Sequence, residues 1–306
     1  MRILITGVTG FLGRHIATAL LAAGHEVSGI ARASPATPLP AGTRFVEGSV
    51  SDAPLIRRLL ERAEALVHLA WAGTPGSSRG VPGSEISSNV LPTAILMQEL
   101  LTQPDCRVLF VSTGGALYPG DGRACSEDAS VVPRSYYGAA KGAVELMLHA
   151  LCEQAGHRVT VLRPSNVYGP GQPALPGFGV IPALMRCARD GVAFECWGSG
   201  AIARDFLYID DFTELVQKVL ATDTRGNRFQ LLNAGSGTLV SLDELHALIS
   251  RVSGREIAWH IREARVVDPP QVLLDSSLAR EIIGWIPRTD IEQGLKLTWE
   301  SWMPPK

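Results

Sequence analysis

No two of the five cysteines (Cys106, Cys125, Cys152, Cys187, Cys196) stand as a Cys-x-x-Cys pair, and no histidines cluster with them at zinc spacing. Their odd number and scatter exclude a disulfide framework and suggest free thiols in a reducing compartment. No stretch of 18 apolar residues occurs, so no membrane span is expected. There is no polybasic run, and 28 Lys+Arg against 30 Asp+Glu leave a net charge of -2. Neither nucleic acid nor a membrane is therefore expected as a partner. The opening Met-Arg-Ile-Leu-Ile-Thr-Gly is apolar over too few residues for a signal peptide, which makes a cytoplasmic location the expectation. The chain also has no internal repeat and no low-complexity tract.

What is present is ample core material. Of 306 residues, 46% are hydrophobic and 19% charged, which excludes wholesale disorder. The length fits one large domain or two intimate ones. Strands are predicted at 2–6, 27–31, 44–47, 65–70, 107–112 and 158–163, with helices at 15–23, 54–63, 84–101 and 136–155. The strands are continuous apolar runs, the pattern of a parallel sheet covered by helices on both faces. The expected fold is therefore α/β, a doubly wound parallel sheet of Rossmann-like type with a smaller C-terminal substrate-binding domain. After residue 165 the rhythm loosens. Helices are predicted at 180–190, 210–222, 241–252, 276–283 and 290–301, with one more strand at 229–233.

Thr6-Gly7-Val8-Thr9-Gly10-Phe11-Leu12-Gly13 places glycines at spacing three and three, directly after the first strand and opening the first helix. Glycines there let the backbone approach a pyrophosphate, and the helix N-terminus offers free N–H groups. The flanking strand and helix are the context that turns a weak triplet into a dinucleotide-binding signature. At the end of the second strand such folds place an acid for the ribose 2′-hydroxyl, yet no acid occurs between Glu26 and Glu47. Arg32 stands there instead and suits a 2′-phosphate, which tips the choice between NAD and NADP toward NADP. Ser49 and Val50, ending the third strand, would face the adenine.

Tyr137-Gly138-Ala139-Ala140-Lys141 puts a phenol and an ammonium on one helix face. An ammonium near a phenol favours the phenolate, so Tyr137 is expected to have a lowered pKa and to exchange protons near neutral pH. With the rest of the chain, this motif resembles the extended short-chain dehydrogenase/reductase family, which holds sugar-nucleotide epimerases, dehydratases and reductases. The matching segments run end to end: GVTGFLG at 7–13, HLA at 68–70, Asn89-Val90, YGAAK at 137–141, RPSNVYGPGQ at 163–172, GVIP at 179–182, RDFLYIDD at 204–211, NAGSG at 233–237 and GWIPRT at 284–289.

The resemblance implies that Tyr137 is the acid/base and that Lys141 positions it and the nicotinamide ribose. It implies cofactor contacts at Gly7, Gly10, Phe11, Leu12, Gly13, Leu69, Ala70, Asn89 and Pro164. It implies sugar-nucleotide contacts at Asn166, Val180, Arg204, Arg265 and Asp268. It further implies an interleaved organisation, with 1–167 and about 207–235 binding the cofactor and 168–206 with 236–306 binding the sugar nucleotide. A homodimer through helices near 84–101 and 136–154 follows from the same source. Leu146, Met147 and Leu151 fit that contact or the intramolecular core.

The chain departs from the family pattern in three respects. The family's Ser/Thr, four residues before a tyrosine, falls here on Gly114, four before Tyr118; Thr113, ahead of Ser112, is the expected substitute. HLA is followed by Trp71 and not by a second small residue. The acidic pair of the dehydratases is replaced by Gly114-Gly115, which disfavours 4,6-dehydration. The expectation is an NDP-hexose 4-epimerase, most naturally on a UDP-linked sugar. The alternatives are an NADPH-dependent reductase of an NDP-4-keto-6-deoxyhexose and a non-catalytic NAD(P)-binding sensor.

Overall fold

The computed structural model of the chain describes residues 1–74, 76, 81–174, 179–222, 228–263 and 271–303. Its first half runs β1 (Arg2–Thr6), α1 (Phe11–Ala22), β2 (Glu26–Ala31), β3 (Arg44–Glu47), α2 (Ala53–Leu60) and β4 (Ala65–His68). Then come α3 (Pro82–Glu85), a π-helical turn (Ile86–Val90), α4 (Leu91–Leu100), β5 (Arg107–Val111), β6 (Asp121–Cys125), α5 (Tyr136–Ala155) and β7 (Val159–Pro164). The second half runs β8 (Asn166–Tyr168), α6 (Val180–Asp190), β9 (Phe194–Trp197), β10 (Ala203–Tyr208), α7 (Ile209–Ala221), β11 (Phe229–Ala234) and β12 (Leu239–Ser241). It closes with α8 (Leu242–Ser253), β13 (Trp259–Arg262), β14 (Gln271–Leu274), α9 (Ser277–Ile283) and α10 (Ile291–Trp302).

Seven strands form one parallel sheet in the order β11-β7-β5-β4-β1-β2-β3. Successive strand residues point to opposite faces, and here both faces are apolar. Ile3 and Ile5 join one core with Ile16 and Leu20 of α1 and Phe212 of α7; Leu4 joins the other with Ile56, Leu96 and Leu148. The chain winds outward from β1 to β3, then returns to β4 and winds the other way. The crevice at the carboxyl ends of β1 and β4 is thus a topological switch point, where such sheets bind ligands.

A second sheet has the order β12-β10-β14-β6, with β8 paired to β10; β9 and β13 pair apart from both. The seven strands β6, β8, β9, β10, β12, β13 and β14 were not expected from the sequence. Elsewhere the local signals act as read. Asp52 caps α2 by accepting from Leu55 N at 3.1 Å, and Ser135 caps α5 by accepting from Gly138 N at 3.1 Å. The helix expected at 84–101 is instead interrupted by the π turn. Pro92, with no N–H of its own, lies just beyond that turn. The strand expected to reach Ala70 stops at His68, because the N–H groups of Leu69 and Ala70 both turn to Thr6 Oγ1, each at 3.2 Å.

Candidate active site

The Gly-rich turn between β1 and α1 is packed for a close backbone approach. Gly7 has φ 75°, and a Cβ there would lie 2.9 Å from Ala70 N. A Cβ on Gly13 would run into Gly7 O and Val8 Cα. Gly10 caps α1 without a side-chain hydrogen bond, leaving the first N–H groups of the helix for a ligand. This cradle fits a dinucleotide pyrophosphate.

A buried histidine ties the two sides of the crevice together. Thr6 Oγ1 accepts from Leu69 N and Ala70 N, so its own proton goes to His68 Nδ1 at 2.7 Å. Thr93 Oγ1 donates to Asn89 O at 2.7 Å and accepts from His68 Nε2 at 3.1 Å. His68 is therefore the neutral Nε2–H tautomer. Burial, with the Lys141 charge second, pushes its pKa down to about 3.

At the far end of the crevice Arg32 is exposed just past β2. Glu47 closes β3 opposite Ala31 and accepts from Ser34 Oγ at 2.5 Å. A carboxylate thus stands beside the end of the second strand after all, supplied by the next strand. Adjacent strands are not adjacent in sequence, so Glu47 does not stand out when β2 is read alone. Ser49 Oγ pairs with Ser51 Oγ at 2.7 Å, and Val50 packs against the second core.

A cavity of about 1040 Å³ opens from the crevice toward the second sheet. Phe11, Leu12, Leu69, Thr113, Tyr137, Lys141, Pro164, Asn166, Val180 and Arg204 of the expected site line it, and so does Ser112. Tyr137 and Lys141 face it from the first turns of α5. That helix lies so close to the 113–118 loop that a Cβ on Gly138 would strike Ala116 O. Asn166 Nδ2 donates to Asp205 O at 2.9 Å, and Arg204 Nη1 to Ala203 O at 2.9 Å. Gly7, Gly10, Gly13, Arg32, Ser49, Val50, Ala70 and Asn89 do not line this cavity. Asn89 is buried, and its amide is engaged with Ala72: it accepts from Ala72 N at 2.6 Å and donates to Ala72 O at 2.8 Å. Arg265 and Asp268 lie outside the described residues.

The electrostatics correct one expectation. The Tyr137 phenol is pushed up, not down: burial dominates, and the Glu85 carboxylate adds to it. Lys141 is pulled down to about 7 by burial, against the opposing charges of Glu145 and Glu85. A sequence shows neighbours along a helix but not the water they lose on folding. Glu85 is a site residue that the sequence reading missed. It is buried, one helical turn before Asn89, and accepts from Asn89 Nδ2 at 2.8 Å. Its i, i+4 spacing to Asn89 was the available signal.

A profile of the NAD dependent epimerase/dehydratase family matches residues 3–235. The chain is 30% identical over 309 residues to the UDP-glucose 4-epimerase of Mycolicibacterium smegmatis, covering 98% of each. It superposes on the crystal structure of the Thermotoga maritima UDP-glucose 4-epimerase with UDP-glucose at TM-score 0.92 and 28% identity, covering 99% of this chain and 98% of that one. The Thermus thermophilus UDP-glucose 4-epimerase in complex with NAD gives TM-score 0.92 and 25% identity, covering 99% of each chain. None of these matches favours NADP over NAD. With a Rossmann-like sheet, a glycine cradle at its switch point and Tyr137 and Lys141 facing one cavity, the chain belongs to the NAD dependent epimerase/dehydratase family of extended short-chain dehydrogenases/reductases.

Proposed function

We propose that this chain is a 4-epimerase of a nucleoside-diphosphate hexose, with a UDP-linked sugar as first substrate and NAD as retained cofactor. One observation carries the choice within the family. Tyr137, Lys141, Ser112 and Thr113 share one cavity whose only carboxylate, among the described residues, is Glu195. Glu195 is already held by Arg262 and lies on β9. Dehydration needs an acid and a base to remove and return protons on carbon, and among the described residues no free carboxylate lines the cavity for that. The relatives reported above are UDP-glucose 4-epimerases, which supports the same reading.

In this reading Gly7, Gly10 and Gly13 hold the cofactor pyrophosphate on the N-terminus of α1, and Lys141 holds the nicotinamide ribose. When bound, NAD supplies reversible hydride acceptance at the sugar carbon. Tyr137 Oη takes the proton of the C4 hydroxyl and later returns it. Its raised pKa keeps the phenol neutral in the ligand-free protein, so it becomes a base only when the nicotinamide's positive charge joins that of Lys141. Thr113 holds the sugar oxygen, with Ser112 behind it. Arg204, together with Arg134 and Arg186, which also line the cavity, offers cations to the diphosphate. The cavity volume leaves a hexose room to turn, as inversion at one carbon requires.

The proposed division of labour gives cofactor binding to 1–167 with about 207–235 and sugar-nucleotide binding to 168–206 with 236–306. The pairing of β11 with β7 supports the interleaving, while β6 runs with the second sheet. The proposed assembly is a homodimer.

The test is to denature the purified protein and identify the nucleotide released, then to assay UDP-glucose conversion to UDP-galactose. Near-stoichiometric NAD and product formation are expected. Tyr137→Phe should bind NAD normally and lose activity by about 100-fold or more. An empty protein that oxidises NADPH with an NDP-4-keto sugar would replace the epimerase with a reductase.

A further inference from the structure

Trp71 touches both members of the Tyr137–Lys141 pair. The Lys141 ammonium lies 3.9 Å from the centroid of the Trp71 ring and 4.8 Å from that of Phe110. The Trp71 ring meets the Tyr137 ring edge-on, centroids 6.0 Å apart at 77°. The backbone on both sides of the indole is fixed. Ala70 N donates to Thr6 Oγ1 at 3.2 Å, and Ala72 is clamped through both backbone groups by Asn89. Trp71 is thus anchored before and after, and its face is presented to Lys141.

The ammonium needs such a face. Lys141 is only 3% exposed, and its hydrogen bond among the described residues goes to Val111 O at 2.8 Å. The titratable groups facing it are Tyr137 and Glu145 on its own helix, Glu85 on α3 and His68 on β4. Glu145 is paired with Arg163 at 2.6 Å, Glu85 holds Asn89, and His68 is neutral. What directly covers the ammonium in place of water is the negative face of an aromatic ring, an arrangement that favours the charged form most when water is excluded.

We propose that Trp71 is a positioning residue, whose indole face seats the Lys141 ammonium and whose edge braces the Tyr137 ring. The proposal rests on the reading that Tyr137 and Lys141 do the chemistry. It gives the large residue after Ala70 a task of its own, in a place where the family resemblance led one to expect a small side chain.

The chain has only four lysines, Lys141, Lys218, Lys296 and Lys306, so the Cε signals of ¹³C-lysine-labelled protein resolve Lys141 directly and without any activity. In the cofactor-free protein its signal should titrate near neutrality. Trp71→Leu and Trp71→Met keep apolar bulk but remove the ring face; Trp71→Phe keeps a ring. The Leu and Met variants should titrate about one pH unit lower, a tenfold change in the proton equilibrium, and should lose about tenfold in kcat with KM within threefold. Trp71→Phe should return both readouts to within threefold of wild type. Leu or Met variants that fold, as judged by unchanged signals from the other three lysines, yet titrate with wild type would overturn the proposal. So would a Phe variant that behaves like Leu. A wild-type protein that epimerises no UDP-hexose would remove the proposed function, while the titration would still decide whether Trp71 seats the ammonium.

Discussion

Leu274 occupies the space that a side chain on residue 114 would need. A Cβ on Gly114 would lie 2.6 Å from Leu274 Cδ1, 2.8 Å from Cδ2 and 3.3 Å from the Arg163 carbonyl oxygen. A side chain at 114, where the family resemblance places a hydroxyl, would therefore require the buried Leu274 side chain of β14 to shift. Thr113 is partly exposed and lines the cavity, whereas Ser112 Oγ is fully buried with no hydrogen-bond partner among the described residues. Thr113→Val should lower kcat by about 10- to 100-fold, and Ser112→Ala should cost less. Gly114→Ser should add no activity and destabilise the fold by about 1–3 kcal/mol in denaturant unfolding. Adding Leu274→Ala should relieve the steric part of that cost. A Gly114→Ser variant more active than wild type would refute this account.

The buried, neutral His68 makes stability depend on pH. The unfolded chain takes up a proton on this ring near pH 6.5, but the folded chain does not until about pH 3. The folded state therefore loses stability as pH falls through that window, by about 1.4 kcal/mol per pH unit well below 6.5, and keeps it in full above 6.5. His68→Gln, which retains a donor and an acceptor, should flatten the slope of unfolding free energy against pH between 6 and 4 by about one proton. Equal slopes for variant and wild type would show that His68 can be protonated inside the fold.

The first half of the sheet was legible because its strands are apolar on both faces and each lies within one strand–helix unit of the next. Leu4 and Ile5, or Leu66 and Val67, declare buried strands whatever their partners. The second sheet has no such local signature. Asp121 pairs there with Gln271, and in the separate β9–β13 pair Phe194 meets Trp259; both join segments far apart in the chain, and Trp259–Arg262 is largely exposed. The site divides in the same way. Tyr137 and Lys141 announce themselves by spacing, but Glu85, Glu47 and the packing of Leu274 over Gly114 come from other elements. The direction of the Tyr137 pKa is not legible in the sequence for the same reason, since burial is a property of the whole fold.

Two leucines on one helix differ sharply in exposure. Leu146 is 76% exposed, while Leu151 is 7% exposed and packs inside the chain's own core. Ile86, Leu91 and Leu101 add exposed apolar surface on the neighbouring helical segments. If the proposed homodimer forms through this face, Leu146→Glu should yield a monomer by light scattering with a fold intact by circular dichroism. Leu151→Glu should instead unfold the chain, because it buries a charge without a partner. A Leu146→Glu protein that remains dimeric would place the interface elsewhere.

The choice between NAD and NADP turns on Glu47, Ser34 and Arg32. Ser34 Oγ donates to Glu47 Oε2 at 2.5 Å, and Glu47 closes β3 directly opposite Ala31, the last residue of β2. Dinucleotide folds read the adenosine ribose at that strand end with an acid, and here a carboxylate stands beside that end on the neighbouring strand. A 2′-phosphate bound there would be drawn to Arg32 but would also face the Glu47 carboxylate, and like charges at close range oppose binding. The protein should therefore bind NAD more tightly than NADP. Glu47→Gln should tighten NADP by about tenfold while changing NAD binding little, and Arg32→Ala should leave NAD affinity within twofold. Calorimetric titration of both nucleotides into the three proteins, first stripped of bound nucleotide, checks all of this. A wild-type preference for NADP that Arg32→Ala abolishes would return the assignment to Arg32 and leave Glu47 as a surface carboxylate engaged only with Ser34.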